Sequence, residues 1–89
     1  MAIKISNPSS SKIQDWMINY IADLLQASSD DIDTDTPFDR FGLDSAAAIG
    51  MTGELEDWLD LEIDPTLMYD YPTIKGMATY LEAQLSEMS

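Results

Sequence analysis

A chain of 89 residues is long enough for one small hydrophobic core and too short for a second, so any function must fit on the surface of a single domain. It contains no His and no Cys, which removes His-based triads, thiol catalysis and the usual zinc sites from the polypeptide. Seventeen Asp and Glu against four Lys and Arg give a net charge of -13, a field that repels nucleic acid phosphates and anionic membranes and favours a basic protein surface as partner.

Acidity of this degree also occurs in disordered chains, but 45% hydrophobic residues and two Trp argue for a packed core. Charge kept for solubility alone is the bland alternative to a basic partner. No apolar run is long enough to span a bilayer, and Met1 to Ser11 lacks the apolar core of a signal peptide. The expected location is the cytoplasm, with which the absence of disulfides agrees.

Residues 1–10 read as a flexible leader ending in a Pro-Ser run. A first helix is expected from Ser11, where Ser11-Lys12-Ile13-Gln14 matches a capping box. From there Ile13, Trp16, Met17, Tyr20, Ile21, Leu24 and Leu25 recur with the helical period, a stripe that reads as core. The stretch Ala27 to Asp44 is a long loop rich in Ser, Asp and Thr, pinned by Ile32, Phe38, Phe41 and Leu43. Long loops in compact domains tend to carry function, so its end at Asp44-Ser45 draws interest.

A second helix is expected from Ser45 to about Leu59, with Asp44 as N-cap. Ala48, Met51, Thr52, Leu55, Trp58 and Leu59 fall on its core-facing arc, and Ser45, Ile49, Glu56 and Asp60 form a stripe beside it. Asp64-Pro65 opens a short helical turn over Thr66 to Tyr69, which Pro72 stops. A last helix starts near Thr73, with Ile74, Met77, Ala78, Leu81 and Leu85 on one face, and ends about Ser86. No strand alternation appears. The expected fold is all-α, a small bundle of three main helices plus one short helix, over residues 11–86, with a flexible tail at 87–89.

Several sites compete. Asp31, Asp33 and Asp35 occupy the first positions of a calcium loop, but Thr36 stands where the turn needs Gly and Gly42 where a bidentate Glu closes the shell, so no metal site is expected. Paired carboxylates acting as acid and base need a cleft, for which so small a bundle has little volume. No catalytic residue is expected. Asp44-Ser45 by spacing alone is an ordinary helix cap. Two features suggest more: Glu54, Glu56, Asp57 and Asp60 crowd the C-terminal half of the second helix, where the macrodipole disfavours them, and Gly50 and Gly53 sit inside it at a cost in helix propensity.

Asp39-Arg40-Phe41-Gly42-Leu43-Asp44-Ser45 resembles the phosphopantetheine attachment motif of acyl carrier proteins. Leu67-Met68-Tyr69-Asp70-Tyr71-Pro72-Thr73 resembles the segment before the last helix of polyketide synthase carrier domains, and the likeness runs from about Ile13 to Leu85. It implies that Ser45 receives 4'-phosphopantetheine from coenzyme A through a separate phosphopantetheinyl transferase. The arm then carries acyl or polyketide intermediates as thioesters to a ketosynthase, an acyltransferase or acyl-activating ligase, and other synthase enzymes with basic docking patches. Asp44 is the acid preceding the modified serine, and Ile49, Glu56 and Asp57 lie where family members contact partners; Asp60 joins them by its stripe.

Two departures bear on the partner. Ala46 stands where the family usually has Leu, and the second helix lacks the Arg residues frequent in polyketide carriers. Peptidyl carrier domains of nonribosomal peptide synthetases are the runner-up, but they usually show Gly where Leu43 stands. A third reading, of another class, is an unmodified acidic helical interaction module. The protein is expected to be monomeric.

Overall fold

The computed structural model describes residues 8–88. Four helices follow in order: α1 Ser10–Leu25, α2 Ser45–Leu59, the short α3 Leu67–Asp70 and α4 Ile74–Met88. This is the expected all-α bundle, and no described helix is long and apolar enough to cross a membrane. Of the leader expected at residues 1–10, residues 1–7 lie outside the described residues, and Ser10 already belongs to α1. At the other end α4 continues through Met88, beyond the boundary expected at Ser86.

The cap of α1 sits two residues earlier than the sequence suggests. Ser9, not Ser11, adopts the extended N-cap conformation, and its hydroxyl oxygen accepts from the Lys12 N–H at 3.3 Å. The earlier frame is stabilised from a distance, because the otherwise orphaned N–H of Ser10 donates to the Glu82 carboxylate of α4 at 2.9 Å. The helix closes on Gln26 in the left-handed region, with Ala27 N–H returning to the Ala22 carbonyl at 2.8 Å.

Ile13, Met17 and Ile21 of α1 are buried together with Met51, Leu55 and Leu59 of α2 and Ile74, Met77, Ala78, Leu81 and Leu85 of α4. The α1 stripe is longer than the core it serves. Leu24 and Leu25, in its last turn, are exposed, while Ala22 is buried and Ile18 packs half-buried against the core. Trp58 departs from its expected core position on α2 and is 42% exposed, stacked on the Trp16 ring. Thr52 does lie in the core, where its hydroxyl donates to the Ile49 and Ala48 carbonyls and so leaves no orphaned polar group.

The long connection between α1 and α2 contains two 3-10 turns, Ser29–Asp31 and Phe38–Phe41, and buries Ile32 and Phe38 in the core. The Asp33 carboxylate serves the loop itself, accepting from the Asp35 N–H and the Thr36 hydroxyl. A second set of bonds ties this connection to the junction of α3 and α4. Phe38 N–H donates to the Pro72 carbonyl at 2.7 Å, Lys75 N–H to the Thr34 carbonyl at 3.1 Å, and Pro37 pairs with Thr73 as an isolated antiparallel bridge. The two sequence stretches that flank the candidate site are thereby locked side by side.

Candidate functional site

The end of the connection is built residue by residue to present Ser45. Phe41 and Leu43 are half-buried against the core, and between them the chain must reverse. Gly42 makes that reversal at φ 76°, a region that a side chain enters only with strain, and its N–H closes the turn on the Asp39 carbonyl. Asp44 then extends and caps α2. Its Oδ1 accepts from Ala47 N–H at 2.8 Å and its carbonyl from Ala48 N–H at 3.0 Å.

Ser45 is the first residue of α2 and is exposed. With Ala47 and Ala48 served by Asp44, the N–H groups of Ser45 and Ala46 are the ones at the helix start that remain for an outside acceptor. Together with the positive end of the helix dipole they suit an anionic phosphodiester on the Ser45 oxygen. Ala46 is also exposed, so the small side chain leaves this approach open.

Beside Ser45 lies an apolar groove of about 510 Å³, walled by Phe38, Leu43, Ala48 and Ile49 on one side and by Met68 and Tyr69 of α3 on the other. The sequence reading allowed little volume for such a concavity. It arises because the Phe38 to Pro72 hydrogen bond brings α3 up to the start of α2, a contact between distant segments that no local pattern records. Tyr69, 81% exposed at the groove, is the residue that sequence reasoning missed, since a four-residue helix is too short to show a face. The α3 turn itself is set by Asp64, whose carboxylate accepts from both the N–H and the hydroxyl of Thr66; these bonds hold its pKa below the ordinary 3.8.

The candidate docking residues divide into two groups. Ile49 is 56% exposed at the groove edge, and Asp57 and Asp60 are exposed with carboxylates that bond to nothing in the described chain. Asp60 also ends α2 in the left-handed region, with φ 52°. Glu56 is different. It is half-buried, and its Oε2 accepts from the Ile63 N–H at 2.7 Å, so that it fastens the loop after α2. Glu54 is exposed beside the Tyr20 phenol. Partial burial first, then this carboxylate, raises the Tyr20 phenol above its ordinary 10.0. Gly50 and Gly53 sit inside α2 without a forced conformation; a Cβ at Gly53 would meet nothing within 4 Å, and one at Gly50 would only touch the Tyr20 hydroxyl at 3.5 Å.

A family model described as "phosphopantetheine attachment site" matches residues 15–81 of this chain. Acyl carrier protein TtuC of Teredinibacter turnerae is 36% identical over 72 residues, which cover 81% of this chain and 83% of that protein. Polyketide synthase PksL of Bacillus subtilis is 33% identical over 67 residues; these make up 75% of this chain but only 2% of that synthase. Among solved structures, an acyl carrier protein from Anabaena sp. PCC 7120 with a variant phosphopantetheinylation-site sequence superposes with a TM-score of 0.83 at 36% identity, covering 96% of this chain and 97% of that one. A free-standing peptidyl carrier protein from Acinetobacter baumannii gives 0.81, also at 36% identity, covering 86% of this chain and 96% of its own.

A capped helix start with an exposed serine, on a bundle of this shape, now has its context: the chain belongs to the phosphopantetheine-attachment family and is a carrier protein. The cofactor of that family is a covalently attached 4'-phosphopantetheine.

Proposed function

We propose that Ser45 is the residue that bears the 4'-phosphopantetheine arm and that the chain carries acyl or polyketide intermediates on it. The observation that supports this most is the helix start itself, where an exposed hydroxyl meets free N–H groups that Asp44 has left uncapped. The arm, transferred from coenzyme A by a phosphopantetheinyl transferase, supplies the thiol that the polypeptide lacks. Asp44 holds the first turn rigid and keeps Ser45 at its tip, and the Gly42 reversal points that tip away from the core. The chain itself performs no catalysis on this reading; it presents the arm to other enzymes.

Acyl cargo is preferred to peptidyl cargo because TtuC and PksL are named as acyl carrier and polyketide synthase and because Leu43 stands where peptidyl carriers usually have Gly. The partners are synthase enzymes with basic patches, a ketosynthase and an acyltransferase or acyl-activating ligase among them. Ile49, Asp57 and Asp60 form the surface they read; Glu56 contributes its charge there while holding Ile63. The carrier works as a monomer in the cytoplasm, with residues 11–86 as its functional unit.

Incubation with coenzyme A and a permissive phosphopantetheinyl transferase tests the reading. Intact mass should rise by one arm in the native chain and stay unchanged in Ser45→Ala. A native chain that never gains the arm, while a control carrier does, rejects it.

A further inference from the structure

A second surface of α2 carries a feature that attachment at Ser45 does not use. Three aromatic rings form a ladder on the seam between α1 and α2, on the flank of α2 away from Ser45 and Ile49. Tyr20 and Trp16, one turn apart on α1, stack with ring centroids 5.4 Å apart and planes 16° from parallel. Trp16 in turn stacks on Trp58 of α2 at 5.7 Å and 7°. Helix α1 lies closest to α4, and Trp16 and Trp58 stack across its seam with α2. Rings serving only as core filler would be hidden, yet Trp58 is 42% exposed, and Trp16 and Tyr20 are half-buried.

At its Tyr20 end the ladder opens into a notch of about 470 Å³ lined by Trp16, Asn19, Tyr20, Asp23 and Glu54. Glu54 is exposed and lines the notch beside Tyr20. The Asp23 carboxylate is exposed and bonds to nothing in the described chain. Aromatic rings next to two exposed carboxylates suit a planar cation. A guanidinium stacks on indole and phenol rings and donates to carboxylates in the same plane, whereas an ammonium offers a point charge and no flat face.

We propose that this notch docks an arginine side chain of a partner protein, stacked on the outer face of the Tyr20 ring and paired with Asp23 and Glu54. A phosphate-bearing ligand meets the net charge of -13 and is repelled. A second copy of this chain brings the same charge and a single arginine, Arg40 on the Phe38–Phe41 turn, so a partner of opposite charge is the better match. The Glu54 wall of the notch lies roughly 14 Å along the axis of α2 from Ser45, counted at about 1.5 Å per residue. A partner held here leaves the arm and its groove free for a different enzyme. The site does not depend on attachment at Ser45 and stands or falls separately.

Two synthetic helical peptides, identical except that one carries arginines where the other carries lysines, probe the site in ¹H–¹⁵N spectra of the native chain. The Trp16 indole N–H and Asn19 side-chain amide signals should shift saturably with the arginine peptide, and the lysine peptide should bind about fivefold more weakly. Asp23→Asn combined with Glu54→Gln should weaken the arginine peptide about tenfold while the unfolding midpoint and the modification of Ser45 stay as in the native chain. Equal affinity for the two peptides, with shifts spread as strongly over Asp57 and Asp60 as over the notch, overturns the proposal in favour of general charge attraction. Unchanged arginine-peptide affinity in the double variant overturns it as well.

Discussion

The two ends of α2 carry the same kind of residue to opposite purposes. At the N-terminus a single carboxylate, Asp44, sits where helix electrostatics want it, capping Ala47 while its carbonyl takes the Ala48 N–H, and leaving the first two N–H groups free. At the C-terminus Glu54, Glu56, Asp57 and Asp60 sit where the same dipole disfavours them. The structure gives one of these a bond within the chain: Glu56 holds the Ile63 N–H. Asp57 and Asp60 have no such role within the chain. One end therefore presents an exposed serine on a capped turn, and the other mixes a strut with free charge, so that counting acids overstates the surface available to a partner.

The largest effect is expected at the N-terminal end. Phe38→Ala removes a buried ring that anchors the turn leading to Ser45 and should lower unfolding free energy by about 3 to 5 kcal/mol in chemical denaturation. If the loss stays under about 1 kcal/mol, the turn is not held by the core and the presentation of Ser45 needs another explanation.

At the C-terminal end the strut and the free charges should separate. Glu56→Ala leaves the Ile63 N–H without its acceptor and should cost about 1 to 3 kcal/mol. Asp57→Asn and Asp60→Asn should change stability by less than about 0.5 kcal/mol, Asn being tolerated at the left-handed Asp60 position, yet slow transfer to a cognate synthase enzyme. Full transfer rates in the Asp57, Asp60 double variant remove these residues from the docking surface.

Asp44→Ala should cost about 1 kcal/mol, the usual value of a lost N-cap, read from the thermal midpoint. The smallest effect concerns Tyr20. Its phenol is raised above 10.0, so the folded state favours the neutral ring; the associated stability is present below pH 10 and disappears as pH rises through the folded value. Ultraviolet titration of Tyr20→Phe against the native chain should remove a late-ionising phenol.

Helical periodicity made most of the core legible, because Ile13, Met17, Ile21, Met51, Leu55, Ile74 and Leu81 repeat within single elements. What stayed hidden depends on partners from other segments. The frame of the α1 cap is chosen by Glu82, more than seventy positions away. The groove beside Ser45 exists because Phe38 bonds to Pro72, and the dual nature of Glu56 appears only when the chain folds Ile63 back upon it. Leu24, Leu25 and Trp58 fit the stripe but not the core, since a stripe gives direction and not the extent of what covers it. The Asp44 cap and the start of α2 at Ser45 were legible in the sequence because a helix cap is a local device.

The most direct measurement is fragmentation of the modified chain to locate the arm. After treatment with coenzyme A and a phosphopantetheinyl transferase, the added mass should reside wholly on the fragment ion series that breaks at Ser45, and the Ser45→Ala chain should carry none. An arm found on another serine, or retained in Ser45→Ala, contradicts the account.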